Sequence, residues 1–63
     1  MDYMKIPTDM LFSIQMLDDA ERGRLFSEML VYAQTGGESG LLKGNERFLW
    51  PTAKLYINRG RDA

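Results

Sequence analysis

Leu25, Phe26, Met29, Leu30 and Ala33 recur at intervals of three and four residues, the spacing that aligns side chains on one face of a 3.6-residue helix. Asp18 ahead of that run and Glu21 three residues later have the spacing of a capping box. The run stops at Thr35-Gly36-Gly37, where glycine suits a left-handed cap. The pattern predicts a helix over 19–35, with Glu21, Arg24 and Glu28 on its outer face at helix-pairing distances. Ahead of it, Thr8 is placed to cap a helix over 8–17. There Met10, Ile14 and Leu17 make one apolar stripe. Phe12 and Met16 make another on nearly the opposite side, with Leu11 between. A short helix that is apolar nearly all round is buried on more than one side. "DYMKIP" reads as an extended lead-in, because Pro7 disfavours helix in the residue before it.

A third helix is expected over 46–60, capped by Asn45. Its inner face would be Leu49, Ala53, Tyr56 and Ile57, with Phe48 and Leu55 beside them. Pro51 removes one backbone hydrogen bond and predicts a kink or restart. Gly60 is a natural stop, although the pattern allows continuation past Ala63. Between the second and third helices lies the glycine-rich loop 36–45, read as a flexible connector whose Leu41 and Leu42 fold back onto the core. The expected class is all-α: one domain, 1–63, of three helices without a sheet.

Length sharpens this picture. A chain of 63 residues buries only about 60% of the surface its unfolded form exposes. Small domains close that gap with disulfides, a metal or a second chain. The absence of Cys excludes disulfides, and the absence of His removes the usual zinc ligands. No metal or cofactor is expected, and a second chain is the remaining device. Phe12 and Met16, left over once the other stripe of their helix is buried, are the expected self-association patch. A two-fold homodimer follows, the commonest closed symmetry.

Charge adds a polarity. Residues 1–42 hold three basic and seven acidic side chains, net −4, and residues 43–63 hold five and two, net +3. Opposed ends favour an antiparallel arrangement of two copies, or an acidic partner for the basic third. The lack of Cys fits a reducing compartment. No apolar run approaches the ~18 residues of a membrane span, and "MDYMKIPTD" lacks a signal-peptide pattern. A cytoplasmic protein without membrane partners is expected.

Candidate chemistry is sparse. Asp18 and Asp19 are adjacent carboxylates, and capping accounts for them. "GGESGLLKG" has Lys43 before Gly44 and no preceding strand, which a phosphate loop would require. Arg22, one turn before Phe26, either snorkels past the helix end or pairs with an acid on another element. Arg47, Lys54 and Arg61 recur at intervals of seven, on what should be the outer face of the third helix. They are candidates for phosphate contact, or form a plain solvated face. Ser13, Ser27 and Ser39 have no base nearby in sequence, so no catalytic constellation is expected and the chain reads as a non-enzyme.

"LDDAERGRLFSEMLVYAQTGGE" resembles a small helical family of unknown function from Firmicutes phages and prophages. The likeness is carried by Leu17, Asp19, Gly23, Leu25, Leu30, Tyr32, Ala33, Gly36 and Glu38, with one shift in the loop. Downstream it continues through Phe48, Leu49, Pro51 and Ile57, so that it covers residues 10 to 61. The chain departs from the family where Asp18 replaces a proline. Members are often N-terminal parts of proteins whose basic tails resemble those of phage replication or DNA-associated proteins. The resemblance thus implies that "NRGRDA" is where a longer chain was cut or where such a tail is missing. It carries no catalytic or ligand residue.

Gly23 costs its helix about 0.5–1 kcal/mol relative to alanine. Close approach of another backbone would compensate, either the first helix or the same helix of a second chain, which makes Gly23 a third candidate self-association residue. The expected function is a non-enzymatic interaction or oligomerisation module of phage or prophage origin, serving a DNA-associated protein. Its alternatives are a nucleic-acid-binding module using the third helix and a small phage inhibitor of a host protein.

Overall fold

The computed structural model describes residues 3–62, and side chains through Arg61. The expectations for Asp2 in the lead-in and for Ala63 lie outside the described residues. The described residues form three helices: α1 (Met10–Ile14), α2 (Asp19–Thr35) and α3 (Glu46–Asp62). There is no strand among the described residues. The domain is all-α.

Local signals set the limits of α2. Asp18 Oδ1 accepts from the Glu21 N–H (2.8 Å) and Glu21 Oε1 accepts from the Asp18 N–H (2.9 Å), so the capping box is complete. At the other end Gly36 adopts φ 80° and donates its N–H to the Tyr32 carbonyl, a conformation strained for any residue with a Cβ. Helix α1 is shorter than the expected 8–17. Its flanks are single turns in which Met10, Leu11 and Phe12 donate to carbonyls three residues back, and Leu17 does the same to Ile14. Asp9, not Thr8, takes the N-cap position, and its side chain makes no capping bond. Helix α3 runs without interruption through Pro51, so no restart occurs there, and it continues beyond 60 to Asp62.

Contacts advance in the same direction along α2 and α3. Arg24 meets Glu46 near both starts, Tyr32 meets Asn58 further along, and the Ala33 carbonyl meets Arg61 near both ends. The two helices are therefore parallel. Each is about 25 Å long, and residues 36–45 have an extended reach of roughly 35 Å, enough to run back along the pair. A returning segment with no ladder of its own must find side-chain partners for its N–H groups.

The core consists of Met10, Leu17, Leu25, Met29, Ala33, Trp50, Ala53 and Ile57. Met4 and Ile6 of the lead-in, Ile14, Tyr32, Leu42, Leu49 and Tyr56 pack around it. Several expected core residues are elsewhere. Phe26 and Leu30 are exposed on α2, Phe48 and Leu55 on α3, and Leu41 in the loop. Helix α1 buries only Met10 within its length, so it is not covered on several sides. Conversely, Glu21 and Glu28 are buried and Arg24 is half-buried. The buried face of α2 is rotated from its apolar stripe toward these charged residues, because that side meets α3 and the returning loop.

Candidate functional site

Four carboxylates organise the loop. Glu28 Oε2 accepts from the Ser39 hydroxyl (2.6 Å), and its two oxygens also take the N–H groups of Ser39 and Gly40. Glu21 Oε2 accepts from the Asn45 N–H (2.7 Å), so the residue that closes the capping box also anchors the loop's far end. Glu46 accepts from the Lys43 and Gly44 N–H groups and from Arg24, whose Nε lies 2.7 Å from Oε2. Glu38 accepts from the Trp50 indole N–H (2.7 Å) and from Lys54. Loop 36–45 is thus tied along its length to both helices. It is not the free connector expected from its glycines.

These bonds shift the acids. The Arg24 guanidinium, helped by the Lys43 and Gly44 N–H groups, holds the Glu46 carboxyl far below the usual carboxylate range despite its burial. In return, Glu46 raises the Arg24 guanidinium further. Burial pushes the Glu28 carboxyl up, but the Ser39 hydroxyl and the loop N–H groups outweigh it and leave the carboxyl lowered. Trp50 and then Lys54 lower Glu38. Since Glu46 and Glu28 are depressed on folding, their contribution is complete above the ordinary value of 4.5. It is lost as pH falls through the folded values. We expect a melting temperature nearly flat from neutrality to about pH 5, then falling. Glu46→Gln should flatten the fall, and a melting temperature unchanged down to pH 2 would contradict the assignment.

Close approach of backbone to side chain occurs at Gly44. A Cβ there would stand 2.7 Å from Glu21 Oε2, 2.8 Å from Glu46 Oε1 and 3.1 Å from Arg24 Nη2. All three groups are fixed by hydrogen bonds, so none can withdraw freely. Gly44→Ala should cost about 1–3 kcal/mol in chemical denaturation. Gly60 has a similar role, its added Cβ lying 3.0 Å from Lys5 Cβ. At Gly23, by contrast, a Cβ would meet nothing within 4 Å. The expected approach of the first helix to Gly23 is therefore incorrect. Helix α2 turns Leu25 and Met29 inward and leaves Gly23 on the open side.

The sequence-chosen residues fall into separate places. Phe12 and Met16 are 68% and 75% exposed on α1 and the turn after it. Residues 3–7 of the lead-in do not cover them. Among the described residues Arg22 pairs with no acid, and its Nε donates to the Ile14 carbonyl at the end of α1 (3.0 Å). Arg47, Lys54 and Arg61 are not on the outer face of α3. They flank its buried side, where Arg47 Nε donates to the Gly44 carbonyl, Lys54 pairs with Glu38, and Arg61 donates to the Ala33 carbonyl. Lys54 also stands 5.8 Å over the Trp50 ring, within cation–π range. The outer face of α3 carries Phe48 and Leu55 instead.

The serine–carboxylate contact at Ser39 and Glu28 joins residues eleven apart in the chain and was not legible in the sequence. Its chemistry is that of an anchor, because the carboxylate is held ionised and already serves two N–H groups. No group of three or more metal-ligating side chains occurs among the described residues, and no described helix is long and apolar enough to cross a membrane. A hollow of about 400 Å³ lies between α1 and α2, lined by Ile6, Met10, Leu11, Ile14, Phe26 and Met29 among others. A second, about 560 Å³, is bordered by Lys5, Asp9, Tyr56 and Arg59. Compared with protein-family models, curated proteins and solved structures, the chain has no match.

Proposed function

We propose that this domain is a non-catalytic protein-interaction module that self-associates, and that it serves a DNA-associated protein of phage or prophage origin. The observation that carries the interaction reading is the set of large apolar side chains on its surface. Leu11, Phe12, Met16, Phe26, Leu30, Phe48 and Leu55 are all exposed, although a domain of this size has few to spare for its core. Exposed apolar surface that is not scattered singly marks binding faces. Each large side chain covered by a partner would contribute about 1.5–3 kcal/mol. The phage setting rests on the resemblance of residues 10 to 61.

Nucleic acid is the weaker reading, because Arg47, Lys54 and Arg61 already donate within the chain. Light scattering at micromolar concentrations should give about twice the chain mass. A well-folded monomer throughout that range would overturn the self-association reading and leave binding of a different protein. A salt-dependent shift of labelled DNA, abolished by Lys54→Glu with Arg61→Glu, would favour nucleic acid instead.

A further inference from the structure

Three segments of the chain wall the hollow between α1 and α2. Leu25, Phe26 and Met29 line it from α2 at helical spacing, Met10 and Leu11 from α1, and Ile6 from the lead-in. The hollow exists because α1 has only five residues and buries Met10 alone within its length, too little to fill the space beside α2. Arg22 is the one charged side chain in its lining, and Thr8 the one other polar side chain. We infer that this hollow is a binding site for a small aliphatic carboxylate, its chain against the apolar wall and its anionic head on the Arg22 guanidinium. The site needs one chain only, so it does not depend on self-association.

One backbone bond orients Arg22. Its Nε donates to the Ile14 carbonyl (3.0 Å), which also accepts from the Leu17 N–H. That bond holds the guanidinium at the end of α1 and uses one of its five N–H groups. The other four, on the two terminal nitrogens, have no protein acceptor among the described residues. Their planar fork matches the two oxygens of a carboxylate.

Size and charge set the ligand class. A volume of about 400 Å³ is within the range of small-molecule sites. At roughly 30 Å³ for each water-sized group it holds about a dozen non-hydrogen atoms, the size of an acid of about eight to ten carbons. Phe48 and Leu55 on α3 are exposed as well, but they border neither hollow. The larger hollow places Asp9 with Lys5 and Arg59, so its charges select no single sign of ligand. Only the hollow beside α2 joins an apolar wall to one unopposed cation. A neutral alcohol would keep the apolar contact there and forgo the charged one, so preference for acid over alcohol is the signature of the site.

The methionines supply the readout. Met10 and Met29 line the hollow, whereas Met16 is exposed and lies outside it. Titrating the full chain, isotope-labelled at its methionine methyl groups, with sodium octanoate should shift the Met10 and Met29 signals saturably and leave Met16 in place. Octanol should bind about tenfold more weakly. Arg22→Gln should remove that difference while leaving alcohol binding unchanged. Leu11→Glu, a change at an exposed position, should abolish octanoate binding with helicity intact. Equal affinity of the parent chain for acid and alcohol would overturn the carboxylate assignment, and so would equal weakening of both in Arg22→Gln. Absence of a saturable shift at Met10 and Met29 would overturn the site. A parallel shift at Met16 would do the same, since it marks general adsorption to apolar surface. Octanoate binding that weakens as protein concentration rises, in step with a doubling of mass in light scattering, would assign the hollow to a second copy and overturn the small-molecule reading.

Discussion

Glu46→Ala is expected to remove most or all of the stability of this domain. The carboxylate is fully buried and accepts from Lys43, Gly44 and two nitrogens of Arg24. Alanine would leave two backbone donors and a guanidinium without their acceptor. Each unsatisfied buried donor costs about 1–3 kcal/mol, and the half-buried Arg24 guanidinium loses its carboxylate as well. A loss of 3 kcal/mol or more is expected. A domain of this length has roughly 3–9 kcal/mol in total, so the variant should be unfolded or close to it in urea titration. Glu46→Gln should be intermediate, since it can still accept from backbone but presents an amide where Arg24 needs charge. A loss below about 1 kcal/mol for the alanine variant would mean that water replaces the carboxylate.

Glu28→Ala should cost about 2–4 kcal/mol, for a related reason with a different signature. Glu28 is almost wholly buried and holds the Ser39 N–H, the Ser39 hydroxyl and the Gly40 N–H. Those donors belong to exposed loop residues, so part of the loss is recovered when the loop lifts and water replaces the carboxylate. The variant should retain α2 and α3, while the Ser39 and Gly40 amides exchange with solvent much faster. Hydrogen exchange resolved by residue distinguishes this from a global loss. Unchanged protection at those two amides would contradict the anchoring role of Glu28.

The limits of α2 were legible because they depend on residues within four positions of each other. Asp18 with Glu21 at one end and Gly36 at the other satisfy orphan backbone groups locally. The number of helices and the all-α class follow from apolar spacing for the same reason. No restart occurs at Pro51 because a single missing donor does not break a helix whose neighbouring turns are held by burial of Trp50, Ala53 and Ile57. Helix α1 misled in the other direction. The expected helix spans ten residues, 8–17, but only five are helical, since too little of it packs to hold the flanking turns.

The sequence by itself determined that there would be three helices, where α2 begins and ends, and that the acids at positions 18 and 21 would cap it. The tertiary structure alone decided which side of each helix is buried. Once α2 and α3 lie parallel, the chain between them has to travel back along both, and its N–H groups need acceptors that no local pattern supplies. Glu21, Glu28 and Glu46 turn inward to provide them, and Phe26, Leu30, Phe48 and Leu55 are turned outward as a result. The same constraint makes Gly44, rather than Gly23, the glycine against which the chain packs closely. Periodicity ranks side chains by their affinity for water, whereas a returning loop selects them by the donors it must satisfy.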